Sequence, residues 1–319
     1  MSPDARDSPD ELIEIYENLA RNRVGLILSG HMFCHPRGRY ATRQTGIHDD
    51  AMVPGLTRLT SAVHRHRGKV FAQLAHAGSQ SRVSENRPLA PSPVPNALTG
   101  RMVQAATAAE IAEVIEAFAA GARRAVRAGF DGVHVHAANG YLISEFSSPL
   151  TNRREDEWGG SAQARDRFVL EVLKAVRREV PAGMAVTVKL GLQDAVPGGM
   201  ALDEGVRRGE ALAAAGADAI EVSCNAMRLP SDSAKEYVAV GPSRALRDLL
   251  LHRLLSPPHA EAYFLQPAPV ECTSCNLCLM HESHHSLRCW RVPRRRLLEH
   301  AIFRLRGGLR EAHRPHSSR

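Results

Sequence analysis

Gly129-Phe-Asp-Gly-Val-His-Val-His-Ala-Ala-Asn-Gly-Tyr141 is the stretch on which the reading of the fold turns. A glycine closes the Ala-rich helical segment Ala108–Gly129, and a short apolar run, Asp131–His136, follows at once. That order is how a helix-to-strand connection of a parallel α/β protein reads. Upstream, Val24–Ser29 and Lys69–Leu74 are continuous apolar runs that read as strands buried on both faces. Helical spacing runs over Glu11–Arg21 and His48–Arg67. Downstream, helix Ser161–Val180, strand Ala185–Leu190, helix Asp203–Ala215 and strand Ala219–Val222 keep the same rhythm. Strands alternating with helices at this spacing predict βαβ units and a parallel sheet beneath a helical layer. After Ser223 the rhythm breaks: Gly241–Leu255 has helical spacing, and Pro257–Pro269 and a cysteine cluster follow. A closed (β/α)8 barrel needs eight strands. The expectation is therefore an α/β chain of the (β/α)8 TIM-barrel type, incomplete, ending in a Cys cluster and a basic helical tail. Its divisions are 1–266 for the barrel, 267–290 for the cluster and 291–319 for the tail.

Composition sets the outer limits. With 319 residues, 44% hydrophobic and 24% charged, the chain matches ordinary globular proteins, and 24 Gly and 19 Pro exclude collagen-like sequence. No apolar run approaches the ~20 residues of a spanning helix, and the polar Met1–Glu11 does not read as a signal peptide. A cytoplasmic protein is the expectation. The net charge of +7 lies wholly in Arg291–Arg319, where nine Arg face Glu299 and Glu311. The tail reads as a solvated basic helix, and nucleic acid is not an expected partner.

Chemistry in parallel α/β folds gathers at the carboxyl ends of strands, and here those ends are polar. They carry Ser29-Gly30-His31, Gln73 with His76-Ala-Gly78, His136-Ala-Ala-Asn139-Gly-Tyr141, Lys189, and Ser223-Cys224-Asn225. A buried strand carries Gln or Lys only when each has a partner, so these residues are expected to face a ligand. Of His134 and His136, one is expected to pack outward, and His134 reads as structural.

The segment Gly129–Ser161 as a whole closely resembles the Old Yellow Enzyme family of NADH:flavin oxidoreductases. So do Gln73-Leu-Ala-His-Ala-Gly78, Val186-Thr-Val-Lys-Leu190 and the Gly198-Gly199 stretch. The likeness runs from Glu14 to Asn225 and resumes at Glu271. It implies an FMN-dependent barrel in which NAD(P)H reduces the flavin and hydride passes to the β-carbon of an activated alkene, a small-molecule substrate. By that resemblance His136 and Asn139 hold the substrate carbonyl oxygen, where fixed donors stabilise developing charge, and Tyr141 is the proton donor. Gln73 and Lys189 match flavin-edge contacts, and Gly30 lets the backbone approach the ring. Asn152, Arg153, Arg154, Asp156, Gly159, Gly160 and Arg165 read as architecture of the barrel mouth.

Two further expectations concern what departs from the family pattern. The first barrel strand would precede residue 1, and only Pro267–Val270 stands where the seventh and eighth strands and the FMN phosphate site belong. Open sheet edges would then favour homo-oligomers. Cys272, Cys275, Cys278 and Cys289 have the C-x2-C-x2-C start of iron–sulfur ligation, as in the 2,4-dienoyl-CoA reductase-like subgroup, whose cluster is 4Fe-4S. His281, His284 and His285 keep zinc open, and reduced thiols are the third possibility. Beside the enzyme reading stand a catalytically silent remnant of the family and a metal-binding protein built on the Cys cluster.

Overall fold

The computed structural model describes residues 10–83, 87–95, 100, 102–194, 197–223 and 225. Helix α1 (Asp10–Arg21) leads into β1 (Leu26–Leu28) and the two-residue β2 (Met32–Phe33). Then come α2 (Val53–His64), β3 (Lys69–Ala75), a small antiparallel hairpin of β4 (Val94–Pro95) and β5 (Met102–Val103), and α3 (Ala108–Arg127). The chain continues through β6 (Gly132–Ala137), α4 (Leu142–Ser147), α5 (Ala162–Glu179), β7 (Ala185–Gly191), α6 (Leu202–Ala214) and β8 (Ala219–Ser223).

Five strands pair in the order β1-β3-β6-β7-β8, all parallel, with β2 beside β3. This is a curled half-barrel, and the expected incomplete TIM-barrel type is the architecture observed. One face of each strand packs under the helices: Ile27, Val70, Ala72, Val133, Val135, Val186, Val188 and Leu190 are all buried. Leu56, Leu59, Phe118, Ala122, Phe168, Val172 and Leu212 of the helical layer are equally buried. Each of the Val, Ile, Leu and Phe side chains contributes about 1.5–3 kcal/mol on leaving water. Helix α3 starts on a reciprocal cap, in which Thr107 Oγ1 accepts from Glu110 N–H and the Glu110 carboxylate accepts from Thr107 N–H. Ser161 caps α5.

The strand around Ile27 departs from expectation. Leu26 is 47% exposed, so β1 is covered on its helix side alone and not on both faces. The physical reason is its place at one end of the described sheet, where the concave side is open. Among the described residues no helix is long and apolar enough to cross a membrane. The Cys cluster, the basic tail, Cys224 and the boundary at 266 lie outside the described residues.

Candidate active site

Parallel register aligns the strand-end residues. Gln73 stands opposite His134, His136 opposite Lys189, and Lys189 opposite Glu221. Residues opposed across neighbouring strands share a face, so all five look onto the concave side. Residues two apart on one strand also share a face, which corrects the expectation that His134 or His136 packs outward. His134 is buried, with Nδ1 2.7 Å from Thr187 Oγ1 and Nε2 2.9 Å from Glu221 Oε2. Its partners lie on adjacent strands.

Lys189 is fully buried, and its Nζ donates to Glu221 Oε1 at 2.8 Å. Burial opposes charge on Glu221, but His134 and Lys189 together hold its carboxyl below the usual value. The ammonium at the strand end is therefore a neutralised one. Glu221 is a site residue that sequence reasoning missed. Its signal was a carboxylate inside Ala219–Val222, a run too apolar to carry one without a partner.

Tyr141 and the residues before it sit on a tight turn after β6. Asn139 and Gly140 both take the left-handed backbone conformation, with φ of 61° and 72°. Asn is among the few residues that tolerate it. Gln80 clamps this turn from the side, its Nε2 donating to Asn139 O at 2.9 Å and Gly140 O at 2.6 Å. Ser144 accepts from Gly140 N–H at 3.0 Å. Asn139 Nδ2 lies 3.4 Å from Ser223 Oγ. The turn brings the Tyr141 ring onto that of His136, stacked with centroids 4.8 Å apart.

His31, one of the polar strand-end residues, and Tyr40, which the sequence did not single out, complete an aromatic group. The His31 ring stands edge-on to His136 at 6.2 Å and to Tyr141 at 5.4 Å. Tyr40 lies 5.8 Å from Tyr141, and the Arg82 guanidinium lies 4.6 Å from the centre of the Tyr40 ring. Three ionisable groups here are held neutral. Burial, then the proximity of His31 and Lys189, pushes His136 well below its ordinary value. Burial, followed by Lys189, also lowers His31. Burial, then Tyr40, raises the Tyr141 phenol.

One buried polar atom of this group lacks a partner. His136 Nδ1 makes no hydrogen bond among the described residues. Gln73 is buried on the same face, its backbone N–H donating to Ser29 Oγ at 2.9 Å. Gly30 lies just past β1, its N–H donating to Tyr16 Oη at 2.7 Å. A Cβ there would meet only Tyr16 Oη, at an ordinary 3.6 Å, so the described part of the chain does not itself require glycine. The mouth residues are architectural, as expected. Asn152 bonds the carbonyls of Phe146 and Trp158, Arg154 those of Pro91 and Ala106, and Arg165 pairs with Glu204. Among the described residues no group of three or more His, Cys, Asp or Glu is placed to hold a metal ion.

Comparison with known proteins gives a consistent result. The sequence pattern of the NADH:flavin oxidoreductase / NADH oxidase family matches residues 2–239. A metal reductase of Desulforamulus reducens is 38% identical over 266 residues, covering 79% of this chain and 40% of the relative. An NADPH dehydrogenase of Geobacillus sp. is 42% identical over 212 residues, covering 66% and 62%. The Old Yellow Enzyme homologue from Zymomonas mobilis superposes with a TM-score of 0.63 at 25% identity, covering 84% of this chain and 87% of that one. The chain thus spans less than two thirds of the length of the two curated relatives.

Proposed function

The chain belongs to the NADH:flavin oxidoreductase / NADH oxidase family, and on that premise we propose that it is an FMN-dependent NAD(P)H oxidoreductase that reduces an alkene conjugated to a carbonyl group. The observation that carries this reading is the convergence of Gln73, His136, Tyr141 and Lys189 on one concave face, with the buried His136 Nδ1 left unpaired there.

The residues present fit the ring of a flavin. A buried unpaired polar group costs about 1–3 kcal/mol, and His136 Nδ1 is one that a bound polar ligand would satisfy. The backbone at Gly30 is uncrowded. Gln73 and Lys189 would hold the ring edge, with Glu221 moderating the Lys189 charge. Pro267–Val270, which stand where the family's phosphate site belongs, lie outside the described residues. FMN held at the strand ends would supply the hydride-transfer chemistry between NAD(P)H and the substrate.

The chain's own side chains do the rest. Hydride arrival at the β-carbon builds negative charge on the substrate carbonyl oxygen, and preorganised donors lower the energy of that charge. His136, held neutral, offers one ring N–H, and Asn139 offers its amide from a turn fixed by Gln80. Tyr141, held protonated by burial, gives its phenolic proton to the α-carbon. Tyr141→Phe tests this assignment. Reduction of an α,β-unsaturated ketone should slow by ~100-fold, the usual worth of a general acid. Flavin reduction by NAD(P)H in the same variant should remain near wild type. Equal loss in both half-reactions would contradict the role given to Tyr141.

A further inference from the structure

Tyr141 makes its hydrogen bond to His31: the phenol oxygen lies 3.2 Å from His31 Nε2. Which partner donates decides whether the phenolic proton faces the imidazole or is free to leave. Distance alone does not answer this, because either group can donate. The answer comes from the other side of the imidazole.

Gln44 holds that side through three contacts. Its Oε1 accepts from Tyr40 N–H at 2.6 Å. Its Nε2 donates to His31 O at 2.9 Å and lies 2.7 Å from His31 Nδ1. A backbone N–H can only donate and a backbone carbonyl can only accept. The two backbone contacts therefore fix the amide orientation, with the NH2 group toward His31. An amide NH2 can only donate, so His31 Nδ1 must be the acceptor and carry no proton. Imidazolium, with a proton on both nitrogens, would turn an N–H against that NH2 group. Burial and the nearby Lys189 act in the same direction. The neutral ring with its proton on Nε2 is the tautomer that remains.

We propose that His31 is a positioning residue for Tyr141: locked by Gln44, its Nε2–H donates to the phenol oxygen, so the phenolic proton stays available to the substrate and the phenolate left behind is stabilised. In the step concerned, the Tyr141 O–H bond breaks and a C–H bond forms at the α-carbon that hydride addition has made nucleophilic. The electron pair of the broken bond stays on the phenol oxygen, facing the His31 N–H, until a proton from solvent restores the phenol. His31 itself gains and loses no proton. The inference rests on the assignment of Tyr141 as proton donor and adds the group that keeps its proton aimed outward.

The test uses the full-length chain without substrate. Nitrogen-15 NMR of histidine-labelled protein reads the tautomer directly, and wild type should show His31 protonated on Nε2. A proton on Nδ1, or on both nitrogens at pH 7, overturns the proposal whatever the variants do. Ultraviolet titration against Tyr141→Phe reads the Tyr141 phenol. His31→Phe should lower its ionisation constant about 10- to 100-fold, the worth of one hydrogen bond to a charged group. His31→Gln, whose amide reaches the former Nε2 position, should restore most of it. An ionisation constant unmoved by His31→Phe overturns the proposal, and a merely structural histidine would not give rescue by Gln. If Tyr141→Phe keeps full alkene reduction, the proton-donor reading itself falls and the role of His31 falls with it. If Tyr141→Phe loses that reaction while the tautomer or the titration comes out wrong, His31 alone is misassigned.

Discussion

Glu145 is the buried carboxyl that ties the active-site turn to the loop after β3. It accepts from Ser79 N–H, at 3.0 Å to Oε1, and from the Ser79 hydroxyl. A Cβ at Gly78, where φ is +61°, would collide with it. Burial pushes its pKa up to about 8, the Ser79 bonds offsetting part of that rise. The unfolded value is near 4.5, so between pH 4.5 and 8 the folded chain holds a proton that the unfolded chain has released. This contribution to stability is complete below pH 4.5 and disappears as pH rises through 8. Glu145→Gln keeps an acceptor for Ser79 and removes the titration. Its stability relative to wild type should grow with pH across that window, by roughly 1 kcal/mol per unit. Urea unfolding at pH 5 and pH 8 checks the slope, and an unchanged difference between the two proteins would contradict it. At this scale the sequence was legible wherever a polar residue interrupted an apolar run: Gln73, His136 and Lys189 stood out for that reason. Gln44 and Tyr40 did not, because they lie in an irregular segment whose polarity needs no explanation. Their role depends on a chain path that no local pattern encodes.

Helices α5 and α6 meet through charge rather than apolar surface alone. Arg208 is fully buried, its Nε 2.5 Å from Asp166 Oδ1 and its Nη2 3.1 Å from Glu204. Arg207 reaches the other Asp166 oxygen at 2.6 Å. Removing one partner of such a pair strands a buried charge, which costs about 3–5 kcal/mol, whereas replacing both by apolar groups is often neutral. Asp166→Leu should therefore destabilise the chain by about 3 kcal/mol, reduced where Glu204 still holds Arg208. The double variant Asp166→Leu/Arg208→Met should recover part of that loss, and equal or greater loss in the double variant would contradict the account. The larger elements were readable because their periodicity is strong: α3 begins within a residue of its polar cap, and α5 carries Phe168, Val169, Val172, Leu173 and Val176 on its buried stripe. Helix α4 was not, since all six of its residues are buried and no polar face marks the turn of the helix. The β4/β5 hairpin, two residues a side and bordered by prolines, is too short for alternation to register.

Over the whole described chain, five parallel strands form a curved sheet with apolar side chains on the convex face and polar ones at the carboxyl ends of the concave face. That division was readable from the sequence as apolar runs ending in polar residues. The facing of His134 was not, because the strand period was read one residue out. Together these strand ends are proposed to hold a flavin. The direct measurement is to equilibrate the full-length chain with FMN, pass it over a desalting column, and record the visible spectrum of the protein fraction. The account predicts stoichiometric flavin carried with the wild-type protein and flavin lost from a Gln73→Leu/Lys189→Met variant that remains folded. A wild-type fraction without flavin absorbance, or flavin retained equally by both proteins, would contradict it.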